Sequence, residues 1–402
     1  MKNNVYKLQG KVQHYQWGGE QFLPQLLQIS NPEHRPFAEY WLGAHSNAPS
    51  SIRMEPEKKL DEYIAENQPA LGGAVAKQFG RLPYLFKVLD VKDMLSIQVH
   101  PSKGSAEEAF EKENRAGVPL NAAHRNYKDD NHKPELMVAL GDFYLLHGFR
   151  TPPQIHALLS SVSELHSLLS HFSNNDYRQL YSHCMEMEQP AVDALLQPLL
   201  DRIIPLYKEN KLPKGDPDFW AARAALTFNE PGKIDKGIFS VYLLNLVYLK
   251  EGEAIFQDAG VLHAYLEGQN MEIMANSDNV LRGGLTPKHI DVPELMKHIR
   301  FDATVPQVIH GTKKNDHEEV YRSPARDFEL SRFSFRAGDA VSFQASTTEI
   351  FIVMKGSTAF INEESTLALQ QGESAVAFAG AKMQLIAGGE AVVFRASVPL
   401  EP

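Results

Sequence analysis

Cysteine is almost absent from this chain of 402 residues, in which Cys184 is the single example. One cysteine cannot form an intrachain disulfide, and a metal site built of several thiolates is excluded. The fold must therefore be held by packing, and a hydrophobic content of 43% over this length is enough for about two or three domains. We expect a protein of the reducing cytoplasm.

Long apolar runs and an excess of positive charge are also missing. The most apolar run, residues 241–249, is interrupted by Asn245 and is far shorter than the roughly 20 residues of a membrane-spanning helix. Residues 1–10 lack the apolar core of a secretion signal. The net charge of -10 leaves no basic stripe for a nucleic acid, although a local cluster of cations could still bind a small anion. We expect no export, no membrane anchor and no nucleic-acid partner.

Short apolar segments separated by Gly, Pro and Asn, such as residues 82–90 and 95–100, predict β-strands over residues 1–150. One helix is expected there, with a capping box at residues 105–108. Between residues 152 and 231, apolar side chains recur at steps of three and four, which predicts amphipathic helices.

Strand character returns at residues 237–249, followed by a Gly turn, a second strand and a loop that ends in His263. This rhythm predicts a small double-sheet β-barrel. After residue 316 the pattern is again β-like, and glycines at 338, 356, 372 and 388 are spaced as turns of successive hairpins. The last histidine is His317, so residues 318–402 contain no imidazole that could bind a metal ion.

The predicted fold class is therefore mainly β, in three parts. A discontinuous metal-binding domain comprises residues 1–150 and 233–315, a helical subdomain comprises residues 151–232, and a second β-domain comprises residues 316–402.

The densest polar stretch, residues 263–288, sets His263 at the end of an apolar strand, and two upstream segments complete a metal-ligand set. Gln98 and His100 are two apart on a predicted strand and so face the same side. Glu135 follows Lys133-Pro134 and begins a strand, because proline forces the residue before it out of the helical region. Two imidazoles, a carboxylate and an amide oxygen suit zinc best, with manganese, cobalt or iron left open.

Each of these residues alone also fits an ordinary half-buried polar face or a surface ion pair. Arg282, beside the flexible Gly283-Gly284 pair, could hold an oxyanion or a phosphate, or could be paired with Asp278 or Glu272.

Glycine-rich phosphate loops, the dinucleotide-binding fingerprint and the serine nucleophile elbow are absent. Nucleotide hydrolysis, hydride transfer and serine acyl chemistry therefore lack support.

Two long motifs carry a family resemblance: YKDDNHKPE at residues 127–135 and HAYLEGQNMEIMANSDNVLRGGLTPK at residues 263–288. They resemble the signatures of the type I mannose-6-phosphate isomerases of the cupin superfamily, with support from residues 15–18, 38–45 and 83–101. The similarity covers roughly the first 300 residues. One departure is Gly283, where the family motif usually has alanine, and this leaves the rigidity of Arg282 in question.

The resemblance implies a cupin, or jelly-roll, catalytic domain with a helical insertion and a ligand-free C-terminal cupin-like domain. It also implies that Gln98, His100, Glu135 and His263 are the zinc ligands and that Arg282 is a catalytic residue. From their chemistry, Lys133 and His132 are further candidates for catalysis, and Lys87, Glu272, Asp278 and Lys288 are candidates for binding the substrate.

The implied activity is interconversion of D-mannose 6-phosphate and D-fructose 6-phosphate, by zinc-assisted proton transfer through an enediol, in a monomer or weak homo-oligomer. Four residues are open candidates for the proton transfer: His132, Lys133, Glu272 and Asp278. Two other functions remain as alternatives, a non-enzymatic cupin that binds sugar or metal and a non-haem iron oxygenase. The polar residues around the metal argue against the first, and Gln98 as a fourth protein ligand argues against the second.

Overall fold

The computed structural model describes residues 4–362 and 365–400. Its strands, in chain order, are β1 Val5–Gln9, β2 Lys11–Gln13, β3 Glu39–Gly43, β4 Ser51–Ile52, β5 Lys58–Lys59, β6 Tyr84–Val91, β7 Gln98–Val99, β8 Glu135–Ala139, β9 Phe143–Phe149, β10 Leu244–Leu249, β11 Ala254–Gln257, β12 His263–Ala275, β13 Leu281–Arg282, β14 Thr312–Lys313, β15 Glu318–Tyr321, β16 Glu329–Phe335, β17 Ala340–Gln344, β18 Glu349–Lys355, β19 Ser357–Ile361, β20 Thr366–Gln370, β21 Ser374–Ala377, β22 Lys382–Ala387 and β23 Ala391–Ser397.

The α-helices are α1 Phe22–Leu26, α2 Leu60–Glu66, α3 Gly73–Phe79, α4 Lys103–Arg115, α5 Pro152–Ser161, α6 Tyr177–Glu186, α7 Gln189–Lys208, α8 Pro217–Phe228, α9 Gly237–Leu243 and α10 Val292–His298. Two 3₁₀ helices cover Gln68–Leu71 and Ser163–Asn175. In the described part of the chain, none of these helices combines the length and the apolar character that crossing a bilayer requires.

The strands form antiparallel sheets of ten, nine and four members. The ten-stranded sheet follows the path β10-β9-β12-β6-β3-β2 and carries β7, β8, β11 and β13 beside it. The nine-stranded sheet runs β14-β15-β16-β23-β18-β21-β1-β4-β5, and the third sheet runs β17-β22-β19-β20. The prediction of a mainly β, cupin-like fold with a helical insertion is confirmed. The expected closed barrel was wrong, because the strand pairing of the described residues leaves open sheets.

Strand β12 is the element that brings the sequence motifs together. Its second half pairs with β6 on one side and with β8 on the other, so that Glu272 lies opposite Lys87 and Met274 lies opposite Glu135. Its first residue, His263, lies opposite Gln98 of β7. Residues that are far apart in sequence thus lie on neighbouring strands of one sheet.

Two large apolar cores fix this sheet in place. One is shared between the helical region and the sheet, and includes Leu159, Trp220 and Val99, each at most 1% exposed. The other joins the ten-stranded sheet to the C-terminal strands, and includes Phe86 and Phe394. Full burial of one such side chain stabilises a fold by about 1.5–3 kcal/mol. The helical region and the C-terminal strands therefore both hold the sheet firmly.

Three local expectations need correction. Residues 237–243 form helix α9 instead of a strand. A continuous buried run fits a helix as well as a strand, and here tertiary packing overrides β propensity. Helix α4 begins at Lys103, and its N-cap is Ser102, whose hydroxyl accepts a hydrogen bond from Ser105 N at 3.3 Å, so the expected capping box at 105–108 was placed one turn too late. Helices α1 to α3 were not expected among residues 1–150.

His263 begins a strand, whereas the sequence had suggested that it ends one. The glycines at 338, 356, 372 and 388 do lie between consecutive strands, but the expected hairpins were wrong, because the two strands on either side of each glycine belong to different sheets. The domain boundaries stay a prediction. Strand β1 pairs with β21, which links the start of the chain directly to the C-terminal sheet.

Tyr84 offers a test of how the two parts hold together. Its buried hydroxyl donates to the carbonyl oxygens of Thr348 at 3.0 Å and Ala396 at 3.1 Å, across the interface between β6 and the C-terminal strands. Tyr84→Phe should lower the free energy of unfolding in urea by about 1 kcal/mol or more, since it leaves buried carbonyls without this donor.

The matched control is Tyr248→Phe, which removes a hydroxyl from a side chain that is 42% exposed. Its loss should stay within about 0.5 kcal/mol. Equal losses for the two variants would contradict a role for Tyr84 in joining the sheets.

Candidate metal centre

His100, Glu135 and His263 converge at one end of the ten-stranded sheet. One ligand atom from each lies within 4.8 Å of the others. The Nε2 atoms of His100 and His263 lie 3.3 Å from Oε1 and Oε2 of Glu135, respectively. All three side chains are buried.

Gln98 joins this group through the strand pairing. It lies opposite His263 of β12 on one side and opposite Arg282 of β13 on the other. Directly opposed residues of neighbouring strands share a face of the sheet. The amide of Gln98 is therefore on the same face as both the histidine and the arginine.

Backbone carbonyls orient both imidazoles. Nδ1 of His100 lies 2.9 Å from the carbonyl oxygen of Asn279, and Nδ1 of His263 lies 2.9 Å from that of Val261. Each Nδ1–H donates to its carbonyl, which leaves Nε2 as the nitrogen directed at Glu135. Within the described residues, both Nε2 atoms are buried without a hydrogen-bond partner. Buried nitrogens of this kind suit a metal ion, because a polar atom removed from water needs a partner.

The charges of the group also fit a metal. Burial lowers the pKa of His100 to about 4, since it disfavours the charged ring, and this outweighs the nearby Glu135 carboxylate. Burial opposes ionisation of Glu135, but the charge of Lys133, whose Nζ lies 3.2 Å away, helps to hold the pKa of Glu135 well below its ordinary value. A neutral imidazole and an ionised carboxylate are the forms that bind metals.

The centre opens on a cavity of about 840 Å³. Most of the predicted site residues line this cavity: Lys87, Gln98, Lys133, Glu135, His263, Glu272, Asp278, Arg282 and Lys288. A cavity of this size is in the range that binds small molecules.

One wall of the cavity carries a buried ion-pair network around Lys87. The Lys87 Nζ atom lies 3.1 Å from Glu272 and 3.5 Å from Glu39, and the Tyr265 hydroxyl donates to Glu272 Oε1 at 2.9 Å. Burial alone would lower the pKa of Lys87, but the two carboxylates raise it. Burial raises the pKa of Glu272. Glu39 and Tyr265 were not singled out from the sequence, although both lie in motifs that carried the resemblance.

Asp278 and His132 have different surroundings. Asp278 lines the cavity, where Asn47 Nδ2 donates to it at 2.9 Å and His45 Nε2 lies 3.3 Å away. Burial raises the pKa of Asp278, but the hydrogen bond from His45 and the nearby lysines lower it overall. His132 points away from the cavity lining in the described structure and lies 3.1 Å from Asp327. The structure therefore does not bring His132 to the other predicted catalytic residues.

Arg282 and Lys288 lie together in the cavity and are not neutralised by carboxylates. No ion pair links Arg282 to Asp278 or Glu272, so the pairing left open by the sequence does not form within the described residues. Burial lowers the pKa of both cations, and the charge of Arg282 lowers that of Lys288 further. Two partly desolvated cations side by side form a binding site for an anion.

A His–Glu–His group that opens on such a cavity, in a cupin-like fold, is suited to a metal ion with room for a small molecule beside it. Residues 5–152 match the family model described as phosphomannose isomerase type I, catalytic domain. The chain is 40% identical to a mannose-6-phosphate isomerase of Salmonella typhimurium, over 92% of this chain and 94% of the relative. It is 34% identical to that of Homo sapiens, over 82% and 81% of the two chains. The chain therefore belongs to the type I phosphomannose isomerase family.

Solved structures agree with this assignment. The crystal structure of the Salmonella typhimurium enzyme bound to fructose 6-phosphate and zinc superposes with a TM-score of 0.87 at 37% identity, and the match covers 99% of this chain and 100% of that one. A zinc-bound holo structure of mannose 6-phosphate isomerase gives a TM-score of 0.86, also at 37% identity and with the same coverage.

Glu135 provides a direct test of the metal centre. Glu135→Gln removes the only charge among the proposed ligands, and we expect it to weaken divalent-metal binding by at least about tenfold, the smaller end of what losing a supporting contact costs in metal sites. Metal content measured after dialysis against a metal-free buffer tests this. Glu57→Gln, at an exposed position, is the control and should retain the metal content of the wild type. An unchanged content in Glu135→Gln would show that this carboxylate does not bind the metal.

Proposed function

We propose that this enzyme interconverts D-mannose 6-phosphate and D-fructose 6-phosphate with one zinc ion bound by Gln98, His100, Glu135 and His263. The observation that carries the proposal is the pair of buried imidazole nitrogens directed at one carboxylate, beside a cavity that holds unneutralised cations. The family membership supports the same reaction. When bound, the zinc ion supplies positive charge that stabilises negative charge on the oxygens of the sugar.

The reaction requires one proton to move between two neighbouring carbons. In the open-chain aldose, a base removes the proton from C2 while the C1 oxygen gains one, which gives an enediol. Return of a proton to C1, with loss of the O2 proton, gives the ketose. A suitable base must face the cavity and have a pKa raised toward neutrality.

Glu272 fits these requirements best among the candidates. It faces the cavity, burial raises its pKa, and contacts with Lys87 and Tyr265 hold its carboxylate in one orientation. Lys133 is paired with Glu135, and the pKa of Asp278 is lowered. The proposed arrangement is that Glu272 transfers the proton and that Lys133 and Asp278 bind the sugar.

The phosphate end of the substrate needs cations that are free to bind it. Lys87 and Lys133 already face carboxylates, whereas Arg282 and Lys288 do not. Lys288 is therefore the proposed phosphate ligand. Arg282, which lies opposite Gln98 in the sheet, is proposed to stabilise the enediolate.

The remaining features of the proposal follow from the same residues. A non-enzymatic cupin would have no need for the buried Lys87–Glu272 pair or for two unneutralised cations in the cavity.

A small phosphosugar is the proposed partner, in a monomer or weak homo-oligomer. A cytoplasmic location is proposed because the single cysteine, Cys184, is buried and free.

Removal of the metal tests the proposed activity. Chelation should abolish formation of fructose 6-phosphate from mannose 6-phosphate while the circular dichroism spectrum is largely kept, because the two apolar cores do not involve the metal. Added zinc should restore activity. Full activity in protein shown to be free of metal would rule out a role for the ion.

A substitution of Glu272 tests the proton transfer. Glu272→Gln should lower kcat by at least about a hundredfold, with a smaller change in KM and no change in zinc content, since the loss of a general base costs this much. His132→Asn, measured in the same way, tests the other assignment, in which His132 transfers the proton. We expect a smaller loss of kcat in this variant, because His132 contacts Asp327. A larger loss of kcat in His132→Asn than in Glu272→Gln would contradict the role of Glu272.

A further inference from the structure

The turn that carries Arg282 and Lys288 has an unusual backbone. Gly284 has a φ of 124°, and Leu285, which is not glycine and is only 1% exposed, has a φ of 52°. A left-handed conformation at a buried leucine is unfavourable, and it persists only where the surrounding structure imposes it. Something outside the turn must therefore hold it.

The carboxylate of Asp235 makes the contacts that hold this turn. Its Oδ1 atom accepts hydrogen bonds from Leu285 N at 2.8 Å and from Gly237 N at 2.6 Å, and its Oδ2 atom accepts one from Thr286 N at 3.2 Å. One side chain thus ties the turn to the first residue of helix α9. Hydrogen bonds from backbone N–H groups to a carboxylate are among the stronger ones in proteins.

Close packing between the turn and helix α9 also fixes the distance between them. A Cβ atom added to Gly237 would stand 2.5 Å from Leu285 N, and one added to Gly284 would stand 2.3 Å from Gly237 Cα. Only glycine permits this approach. The turn and the start of α9 therefore behave as one unit, with Asp235 at its centre.

Asp235 acts on the cavity only through the backbone. It does not line the cavity, and no ion pair joins it to Arg282 or Lys288 within the described residues. The two cations flank the turn, three residues before Leu285 and three after it. A shift of the turn would change the distance between them and their direction into the cavity.

We propose that Asp235 is a positioning residue for substrate binding: it holds the turn at residues 283–286 so that Arg282 and Lys288 face the phosphosugar together. This inference rests on the proposed function, because it assumes that these cations bind the anionic substrate. It gives the segment that joins α8 to α9 a part in substrate affinity, since Asp235 lies two residues before the first residue of α9.

The test is Asp235→Asn, which keeps one acceptor oxygen but turns an amide NH₂ toward a backbone N–H. Inorganic phosphate, used as a competitive inhibitor, is the probe for the anion site. The variant should raise the Ki of phosphate and the KM for mannose 6-phosphate by about three- to tenfold, the effect of one lost hydrogen bond, and should also lower kcat, because Arg282 is the residue proposed to stabilise the enediolate. Its zinc content should be unchanged.

Gly237→Ala disturbs the same contact, because its added Cβ would stand 2.5 Å from Leu285 N and 2.8 Å from Asp235 Oδ1. It should raise the Ki of phosphate and the KM for mannose 6-phosphate as well. Asp176→Asn is the matched control, because its carboxylate caps helix α6 by accepting from Gln179 N at 2.9 Å, and it contributes nothing to the cavity. It should leave both constants unchanged.

The outcomes separate the two proposals. Wild-type protein that fails to isomerise mannose 6-phosphate would refute the proposed function. An active wild type together with unchanged phosphate Ki in Asp235→Asn and Gly237→Ala would overturn the positioning role alone. A fall in zinc content, or a loss confined to kcat, would also overturn it.

Discussion

The site depends on one buried carboxylate, that of Glu135, which faces two imidazole nitrogens and the ammonium group of Lys133. An isolated charge is costly to bury, so an ionised glutamate in this position requires compensating partners. The partners come from three separate strand regions, and all of them must arrive in register. A shift of one residue in the pairing of β12 would turn its side chains to the wrong face.

The centre is therefore a property of the sheet as a whole. The thirteen residues of β12 make it long enough to pair with β7 and β9 at one end and with β6 and β8 at the other. The two apolar cores then hold the sheet from both sides, through the helical region and through the C-terminal strands. Neither the helical region nor the C-terminal strands supply a proposed metal ligand. Each nevertheless restricts the movement of the sheet that supplies them.

Local rules were enough to predict much of this arrangement. Proline at 134 set the strand start at Glu135, and the spacing of two between Gln98 and His100 matched a strand with a common face. The same alternation separates His132 from Lys133 and Glu135, since adjacent residues of an extended chain face opposite sides. A catalytic role for His132 therefore stays a prediction, and His132 does not share the face of Lys133 and Glu135.

Features that depend on long-range contacts were out of reach of such rules. Helix α9 consists of residues with β propensity, which tertiary packing overrides. Strand β1 finds its partner more than 360 residues away. Glu39, Tyr265 and Asp235 owe their roles to neighbours in space, and no short spacing in the sequence marks those neighbours.

Packing around Gly283 restricts the backbone beside Arg282. Its missing methyl group could have loosened the backbone beside Arg282. The space is instead occupied: a Cβ there would stand 3.0 Å from the Tyr181 hydroxyl and 3.4 Å from Ile97 and Leu295. The backbone is also tied down, because Gly283 N donates to the carbonyl oxygen of Ile97 at 2.8 Å. Arg282 therefore rests on a constrained segment.

The distribution of charge explains how an acidic protein can attract an anionic substrate. The net charge is -10, yet the cations of the cavity differ in whether a carboxylate lies beside them. Lys87 and Lys133 are matched by carboxylates, whereas Arg282 and Lys288 are left without them. A low-dielectric cavity strengthens the field of such unmatched charges, while solvent and salt screen the distant acidic surface. The phosphate group therefore responds to the local pair of cations, and the net charge of the surface has little influence on its binding.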